Sequence, residues 1–169
     1  MSTISQLIAE MAEYERNTPH RVHHFLKVHD FAKTIGELEN LPSGLQFTLE
    51  TAAVVHDIGI RPSLEKYGSS AGKYQQKEGP DVARTLLERL AFDATVIDRV
   101  CFLVAHHHTY TGMDGWDYRI LVEADFLVNM FEEEMSPESI RHVYEKIFTT
   151  AAGRAFCRSL YADAVTEAG

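Results

Sequence analysis

Apolar positions along the chain recur mainly at the spacing of an α-helix. Val82, Leu86 and Leu90, for example, lie four residues apart and therefore share one helical face. Alternating strand patterns are scarce. The predicted helices cover about 3–15, 19–39, 45–58, 80–91, a segment capped by Asp93, 118–131, a segment beginning at Ser136–Pro137, and 150–165. This pattern predicts an all-α, single-domain helical bundle over residues 1–169, with about seven helices and no sheet.

The segment 59–78 interrupts the helical pattern. It reads GIRPSLEKYGSSAGKYQQKE and is rich in Gly, Ser and Lys. We therefore predict a long loop here, with the next helix beginning at Pro80. A loop of that length inside a compact domain usually has a functional role.

Composition narrows the classes of partner. The formal net charge is −9, which argues against a basic nucleic-acid-binding face, so we expect no nucleic-acid polymer as a partner. Cys101 and Cys157 are far apart and predict buried thiols rather than a disulfide framework. The N-terminal segment lacks the pattern of a signal peptide, and no apolar stretch approaches the ~20 residues that cross a bilayer. We expect a cytoplasmic protein without a membrane partner.

Three predicted helices carry a potential metal ligand on their apolar face. His24 lies within one such face, His56 continues a second, and Asp125 lies on a third. Asp57 directly follows His56 at the end of its helix. A buried ionised carboxylate is costly unless it is paired or bound to a metal.

No Lys or Arg shares these apolar faces. Arg21 and Lys27 point elsewhere on the helix of His24, and Arg119 is nearly opposite Asp125. Imidazole nitrogens and carboxylate oxygens suit divalent transition metals. Periodicity alone leaves two alternatives open: the faces meet at a metal, or each polar residue is satisfied separately in the core.

The order and context of these residues resemble the HD-domain superfamily of metal-dependent phosphohydrolases. His56 and Asp57 end an apolar helix in AAVVHDIG, with His24 upstream and Asp125 downstream in LVEADFLVNMF. HHFLKVHDFA is similar to the first motif of the family, and GPDVARTLL to its segment after the HD loop. The resemblance covers about residues 18–131, with the helices of 136–165 expected to pack on that core.

The resemblance implies that His24, His56, Asp57 and Asp125 bind a divalent metal ion. Fe, Mn, Zn, Co, Ni and Mg are not distinguished. It also implies an all-α fold and hydrolysis of a phosphate monoester or diester in a small phosphorylated molecule, for example a nucleotide. The ion would activate a water molecule, and Asp57 could accept its proton as a catalytic residue.

The segment after the HD pair departs from the family pattern. Relatives with two metals usually have a further His before the Gly that opens the next helix, whereas this chain has Gln75 and Gln76 in YQQKEG. The departure favours one ion over two.

Three consecutive histidines follow the helix capped by Asp93. We predict that His106 and His107 enter the site as catalytic residues, and that His108 faces solvent. The alternative is that this run of His only interacts with the C-terminal end of the helix dipole.

The cationic side chains of segment 59–78 follow the HD pair directly. We predict that Arg61, Lys73 and Lys77, with Lys66 as a further candidate, bind the substrate phosphate. The alternative is that each is a solvated side chain.

Two other functions are compatible with the same scaffold. One is a di-iron oxygenase, which requires two metals, and the other is a catalytically silent ligand-binding module. Phe148 and Phe156 in the last helices would support a homodimer if they were exposed, although a core role is the alternative.

Overall fold

The computed structural model describes residues 3–165, and within that range the chain is all-helical. Nine helices have eight residues or more: α1 Ile4–Tyr14, α2 Pro19–Leu38, α3 Ser43–Val55, α4 Ile60–Tyr67, α5 Gly72–Arg89, α6 Ala94–His106, α7 Trp116–Glu132, α8 Pro137–Lys146 and α9 Ala151–Leu160. A single turn, α10 Ala162–Val165, follows. No strand occurs among the described residues, so the all-α prediction is confirmed.

Segment 59–78 is helical, and the prediction of a long loop there is wrong. It contains all of α4 and the first turns of α5, with only 68–71 between them. Pro62 lies in the first turn of α4, where a missing N–H costs no helical hydrogen bond. Pro80 lies inside α5 rather than at its start. Of the nine helices of eight residues or more, α4 is therefore the one without a predicted counterpart, and α5 begins earlier than predicted.

Glycine at position 59 allows α4 and α5 to approach each other closely. Its backbone dihedral angles are in the ordinary right-handed helical region, so glycine is not required here for its backbone conformation. A Cβ at Gly59 would lie 2.6 Å from the backbone oxygen of Gln75 and 2.9 Å from the Cα of Gly79. This close crossing holds α5 against the turn that carries His56 and Asp57.

The core is built around α3, whose side chains are buried on nearly every face. Thr51 to Val55 are all inaccessible to solvent, because α2, α6 and α7 pack around this helix. The C-terminal ends of α3 and α6 and one face of α7 therefore meet at one end of the bundle. His56, His107 and Asp125 come together there.

The last helices pack on that core. Phe148 is only 3% exposed, so of the two alternatives left open for it the core role is the one observed. Phe156 is half-buried and contacts Phe31 edge to face. Cys101 and Cys157 are buried free thiols, as predicted. Across residues 3–165, none of the helices combines the length and apolar character that a membrane crossing requires.

Candidate metal centre

Four side chains from three parts of the chain converge at one end of the bundle. The first turns of α2 carry His24, the turn after α3 carries His56 and Asp57, and α7 carries Asp125. The Nε2 atom of His24 is 3.2 Å from both Asp57 Oδ2 and Asp125 Oδ1. The Nε2 atom of His56 is 3.4 Å from the same two oxygens. The structure thus brings together all four predicted metal ligands.

Neighbouring groups fix which ring nitrogen carries the proton in the two histidines. His56 Nδ1 lies 2.7 Å from the carbonyl oxygen of Ala53, which can only accept, so this nitrogen donates. His24 Nδ1 lies 2.6 Å from Oε1 of Glu132 and donates to that carboxylate. In the neutral rings the Nε2 atoms therefore carry lone pairs. They lie only 3.2 Å apart, facing the same point as the two carboxylates.

This concentration of acceptors favours a positive charge between them. Burial alone would lower the pKa of His24, but hydrogen bonds to Asp125 and Asp57 outweigh it and raise the pKa to about 10. Burial would likewise lower the pKa of His56, yet the charge of Asp57 and the bond to Asp125 raise it well above its usual range. Burial would raise the pKa of Asp57 and Asp125, but the histidines hold both values well below the usual range.

The four residues fit a divalent metal ion. Ligand atoms of His24, His56 and Asp57 lie within 4.8 Å of one another, and Asp125 adds a fourth. Two imidazole nitrogens and two carboxylate oxygens form a ligand set of the kind used by Zn, Mn and Fe sites. His56 is completely buried, so its position is fixed by packing before any ion binds.

A second group of potential ligands adjoins the first. Asp57, His107 and His108 also bring ligand atoms within 4.8 Å of one another. Asp57 belongs to both groups, since its Oδ2 faces His24 and its Oδ1 lies 3.4 Å from His107 Nε2. His107 Nδ1 is 2.9 Å from the carbonyl oxygen of Val104, which leaves its buried Nε2 without a hydrogen-bond partner among the described residues.

His108 is half-buried beside the site, and the prediction that it faces solvent is wrong. Its Nε2 lies 3.1 Å from Oε1 of Gln75, a residue of α5. Burial and the nearby His107 lower the pKa of His108 to about 4. The ring is therefore neutral at physiological pH, the form in which an imidazole binds a metal.

His106 lies apart from this group. Its Nδ1 is 2.7 Å from the carbonyl oxygen of Phe102, and its ring stacks on that of Phe102 with centroids 4.2 Å apart. It does not line the cavity beside the four ligands. The structure brings His107 to the site but not His106, whose catalytic role remains a prediction.

A cavity of about 810 Å³ opens onto Asp57, His24 and Asp125. One wall of this cavity is formed by basic side chains of α2. Another wall is apolar and is formed by Ile60 and Leu64 of α4. The cavity is therefore large enough for a small molecule held against the four ligands.

Arg21 and Lys27 line this cavity, although their helical positions predict side chains that point away from His24. Arg21 Nη1 is 3.0 Å from Oε2 of buried Glu15, and Lys27 Nζ is 3.0 Å from Oε2 of Glu132. Arg21 precedes His24 and Lys27 follows it by about one turn of α2, but the helical position of such long side chains does not show where their charged groups end.

The cations predicted to bind substrate lie outside the cavity walls. Arg61 donates to the carbonyl oxygen of Tyr14 at 2.7 Å. Lys73 and Lys77 lie over the rings of Tyr74 and Tyr67. Lys66, the further candidate, is paired with Glu78 at 2.5 Å. The structure does not bring these side chains to the four ligands, and their substrate-binding role remains a prediction.

Comparison with known proteins places the chain in a family. The model of the HD domain matches residues 21–147, and the chain belongs to this family, whose members bind divalent metals. Among solved structures, a predicted HD superfamily hydrolase from an uncultured Thermotogales bacterium has a similar fold, with a TM-score of 0.67 and 22% sequence identity. The match covers 94% of this chain and 85% of that one. Among curated proteins, none is significantly similar to this sequence.

Proposed function

We propose that this HD-domain protein is a metal-dependent phosphohydrolase that acts on a small phosphorylated molecule, for example a nucleotide. The observation that carries the proposal is the convergence of four lone-pair ligands on the wall of a cavity. A divalent ion held there would polarise a phosphoryl oxygen and lower the pKa of a bound water. Both effects are what hydrolysis of a phosphate ester requires.

Asp57 and His107 are placed to handle the proton of the attacking water. Asp57 has one carboxylate oxygen toward His24 and the other toward His107, 3.4 Å from its Nε2. The Nε2 of His107 is a buried acceptor because its Nδ1 donates to Val104. We assign Asp57 as the proton acceptor and His107 as the group that shares that proton.

Arg21 is the cation best placed to hold the substrate phosphate. It lines the same cavity as Asp57 and Asp125. Its pairing with Glu15 uses one of the five N–H donors of a guanidinium, and the others remain for a phosphate. In a chain with a net charge of −9, such a local cation would offset the repulsion of an anionic substrate.

A panel of phosphomonoesters and phosphodiesters tests this function. Release of phosphate, or of the alcohol from a diester, would be measured with Mn²⁺, Co²⁺ or Fe²⁺ present and with a chelator present. We expect turnover that depends on the metal and is lost in Asp57→Ala. Asp30→Ala is the matched control, because it makes the same change at an exposed position of α2 outside the cavity.

Two results would contradict the proposal. The first is an absence of turnover across the panel in protein with bound metal, which would favour a silent ligand-binding module. The second is equal activity of the wild type and Asp57→Ala, which would place the reaction elsewhere.

We expect one ion per chain, at the group with four ligands. The adjoining group with Asp57, His107 and His108 offers three ligands, one of them shared. That group is the observation that favours the second candidate function, a di-iron oxygenase. The ratio of metal to chain in the purified protein separates the two, since a ratio near one excludes a two-metal oxygenase.

A further inference from the structure

Glu132 contacts the candidate metal ligand His24 on the side away from the other ligands. Its Oε1 is 2.6 Å from Nδ1 of His24, while Asp125 Oδ1 is 3.2 Å from Nε2 of the same ring. Asp125 and Glu132 are seven residues apart on α7, so they lie in nearly the same direction from the helix axis. One face of α7 therefore holds both nitrogens of the His24 ring.

Lys27 holds the second oxygen of Glu132. Its Nζ lies 3.0 Å from Glu132 Oε2, and Lys27 follows His24 by one turn of α2. The side chains of Lys27 and Glu132 are 42% and 26% exposed, so the pair lies at the mouth of the cavity. Both carboxylate oxygens are thus occupied, and the group cannot rotate away from His24 without losing a bond.

We propose that Glu132 is a positioning residue that holds His24 in the tautomer and orientation required for metal binding, and that Lys27 fixes Glu132 in that position. The inference rests on the proposed metal site but not on the reaction catalysed there. A carboxylate that accepts the Nδ1 proton keeps the lone pair on Nε2 and makes it a stronger donor to the metal. Loss of such a partner typically weakens metal binding about 10- to 100-fold.

The neighbouring residue Glu133 provides a matched control. It has the same charge, follows Glu132 directly and also lines the cavity. No hydrogen bond or ion pair links its side chain to another described residue. Long-range attraction of a cation would be lost equally in the Glu132 and Glu133 variants, whereas positioning of His24 would be lost only in the first.

The experiment measures binding of Co²⁺ and Zn²⁺ to the full chain by competition with a chromophoric chelator. We expect Glu132→Ala to weaken binding about 10- to 100-fold and Glu132→Gln to weaken it less, because the amide oxygen can still accept the Nδ1 proton. Lys27→Met should weaken binding less than Glu132→Ala, with recovery in Lys27→Arg. Glu133→Ala should bind as the wild type does.

A spectroscopic measurement separates positioning from a loss of stability. The visible absorption of bound Co²⁺ depends on ligand geometry, so its band should change in Glu132→Ala and not in Glu133→Ala. Unfolding of the metal-free variants should be the same for both.

Equal metal affinities for the Glu132 and Glu133 variants would overturn the inference, as would a wild type that binds no metal. A wild type that binds metal but hydrolyses no ester would contradict the proposed function alone, and the inference would still be judged by these affinities.

Discussion

Two buried carboxylates on α7, two residues apart, have opposite surroundings. Glu123 accepts hydrogen bonds from the backbone nitrogens of Thr149 and Thr150, at 2.6 and 2.9 Å, and from the Thr150 hydroxyl at 2.7 Å. Asp125 instead has the Nε2 atoms of His24 and His56 beside its Oδ1, at 3.2 and 3.4 Å. Glu123 is 0% and Asp125 6% exposed as whole residues, so burial does not distinguish them.

The difference between them separates a structural carboxylate from a ligand. Glu123 holds the N-terminus of α9, and its bonds leave little for a further partner. Burial raises the pKa of Glu123 despite the bonds from Thr150, whereas the histidines hold the pKa of Asp125 below its usual range although burial opposes this. Asp125 has one fixed donor, the side-chain amide of Asn129 at 3.1 Å from Oδ1, and otherwise faces ring nitrogens and the carboxylate of Asp57, so a cation is needed to balance the buried charge.

The largest expected effect comes from removal of Asp125. Asp125→Ala should weaken metal binding at least about 1,000-fold, or about 4 kcal/mol, beyond the range for partners that do not touch the metal. The measurement is chelator competition, with the free energy of unfolding of the metal-free protein as a control. Metal affinity within tenfold of the wild type would contradict the assignment of Asp125 as a ligand.

Removal of Glu123 should lower the stability of the fold and leave the metal affinity unchanged. Glu123→Ala leaves three donors without their acceptor, two of them on buried Thr150, and should lower the free energy of unfolding by about 2–4 kcal/mol. Glu123→Gln keeps an acceptor and should cost less. Urea unfolding with a chelator present measures this, and metal affinity should stay at the wild-type value. A loss of affinity as large as in Asp125→Ala would erase the distinction between the two carboxylates.

Two of the four candidate ligands could be placed from sequence because they lie within regular helices. His24 and Asp125 occupy positions fixed by the helical repeat, so the direction of each side chain follows from its number. His107, directly after α6, still follows that repeat and is 1% exposed. One residue further the helix has ended, the repeat no longer applies, and the prediction for His108 failed.

The cations could not be placed from sequence for a different reason. The terminal groups of Arg21 and Lys27 lie several bonds from the backbone, so the helical position does not determine where they end. Both reach the cavity from α2, whereas Arg61 turns toward Tyr14. The helix α4 was missed although Ile60, Leu64 and Tyr67 recur at helical spacing, because it has only eight residues and the Gly, Pro and Ser around it are typical of a loop.

A smaller effect is expected from crowding the carboxylate of Glu123 without removing it. A Cβ at Gly153 would lie 2.8 Å from both Glu123 Oε2 and Thr150 Oγ1, atoms that are hydrogen-bonded to each other. Gly153→Ala should therefore destabilise the fold by about 1–3 kcal/mol, as overpacking does. Thermal unfolding measures the effect.

Gly44→Ala is the control for this substitution. A Cβ at Gly44, in the first turn of α3, meets nothing within 4 Å. This variant should be as stable as the wild type or up to about 1 kcal/mol more stable. Equal stability of the two variants would show that Glu123 and Thr150 can shift to accommodate the added methyl group without a loss of stability.

The smallest expected effect is the release of protons when the metal binds. It tests directly whether the carboxylates at the metal site hold the histidines in their protonated form. Without metal, the pKa of His24 is raised to about 10, so this ring is protonated at neutral pH. Metal binding requires the lone pair of Nε2 and must expel that proton. Asp57 and Asp125, whose pKa values are lowered, are already ionised and expel none. Each expelled proton makes the affinity rise about tenfold per pH unit, or about 1.4 kcal/mol, up to the pKa of the ring.

Calorimetry in buffers of different ionisation enthalpy counts these protons. We expect at least one proton released per ion at pH 7, with affinity rising from pH 6 to pH 8. In Asp125→Asn the acceptor that contributes most to the raised pKa of His24 is neutral, so fewer protons should be released. In Glu123→Gln the number should equal that of the wild type, because Glu123 has no contact with the histidines. A proton count near zero in the wild type would mean that the histidines are neutral before the ion binds, and the contrast between the two carboxylates would then rest on hydrogen-bond geometry alone.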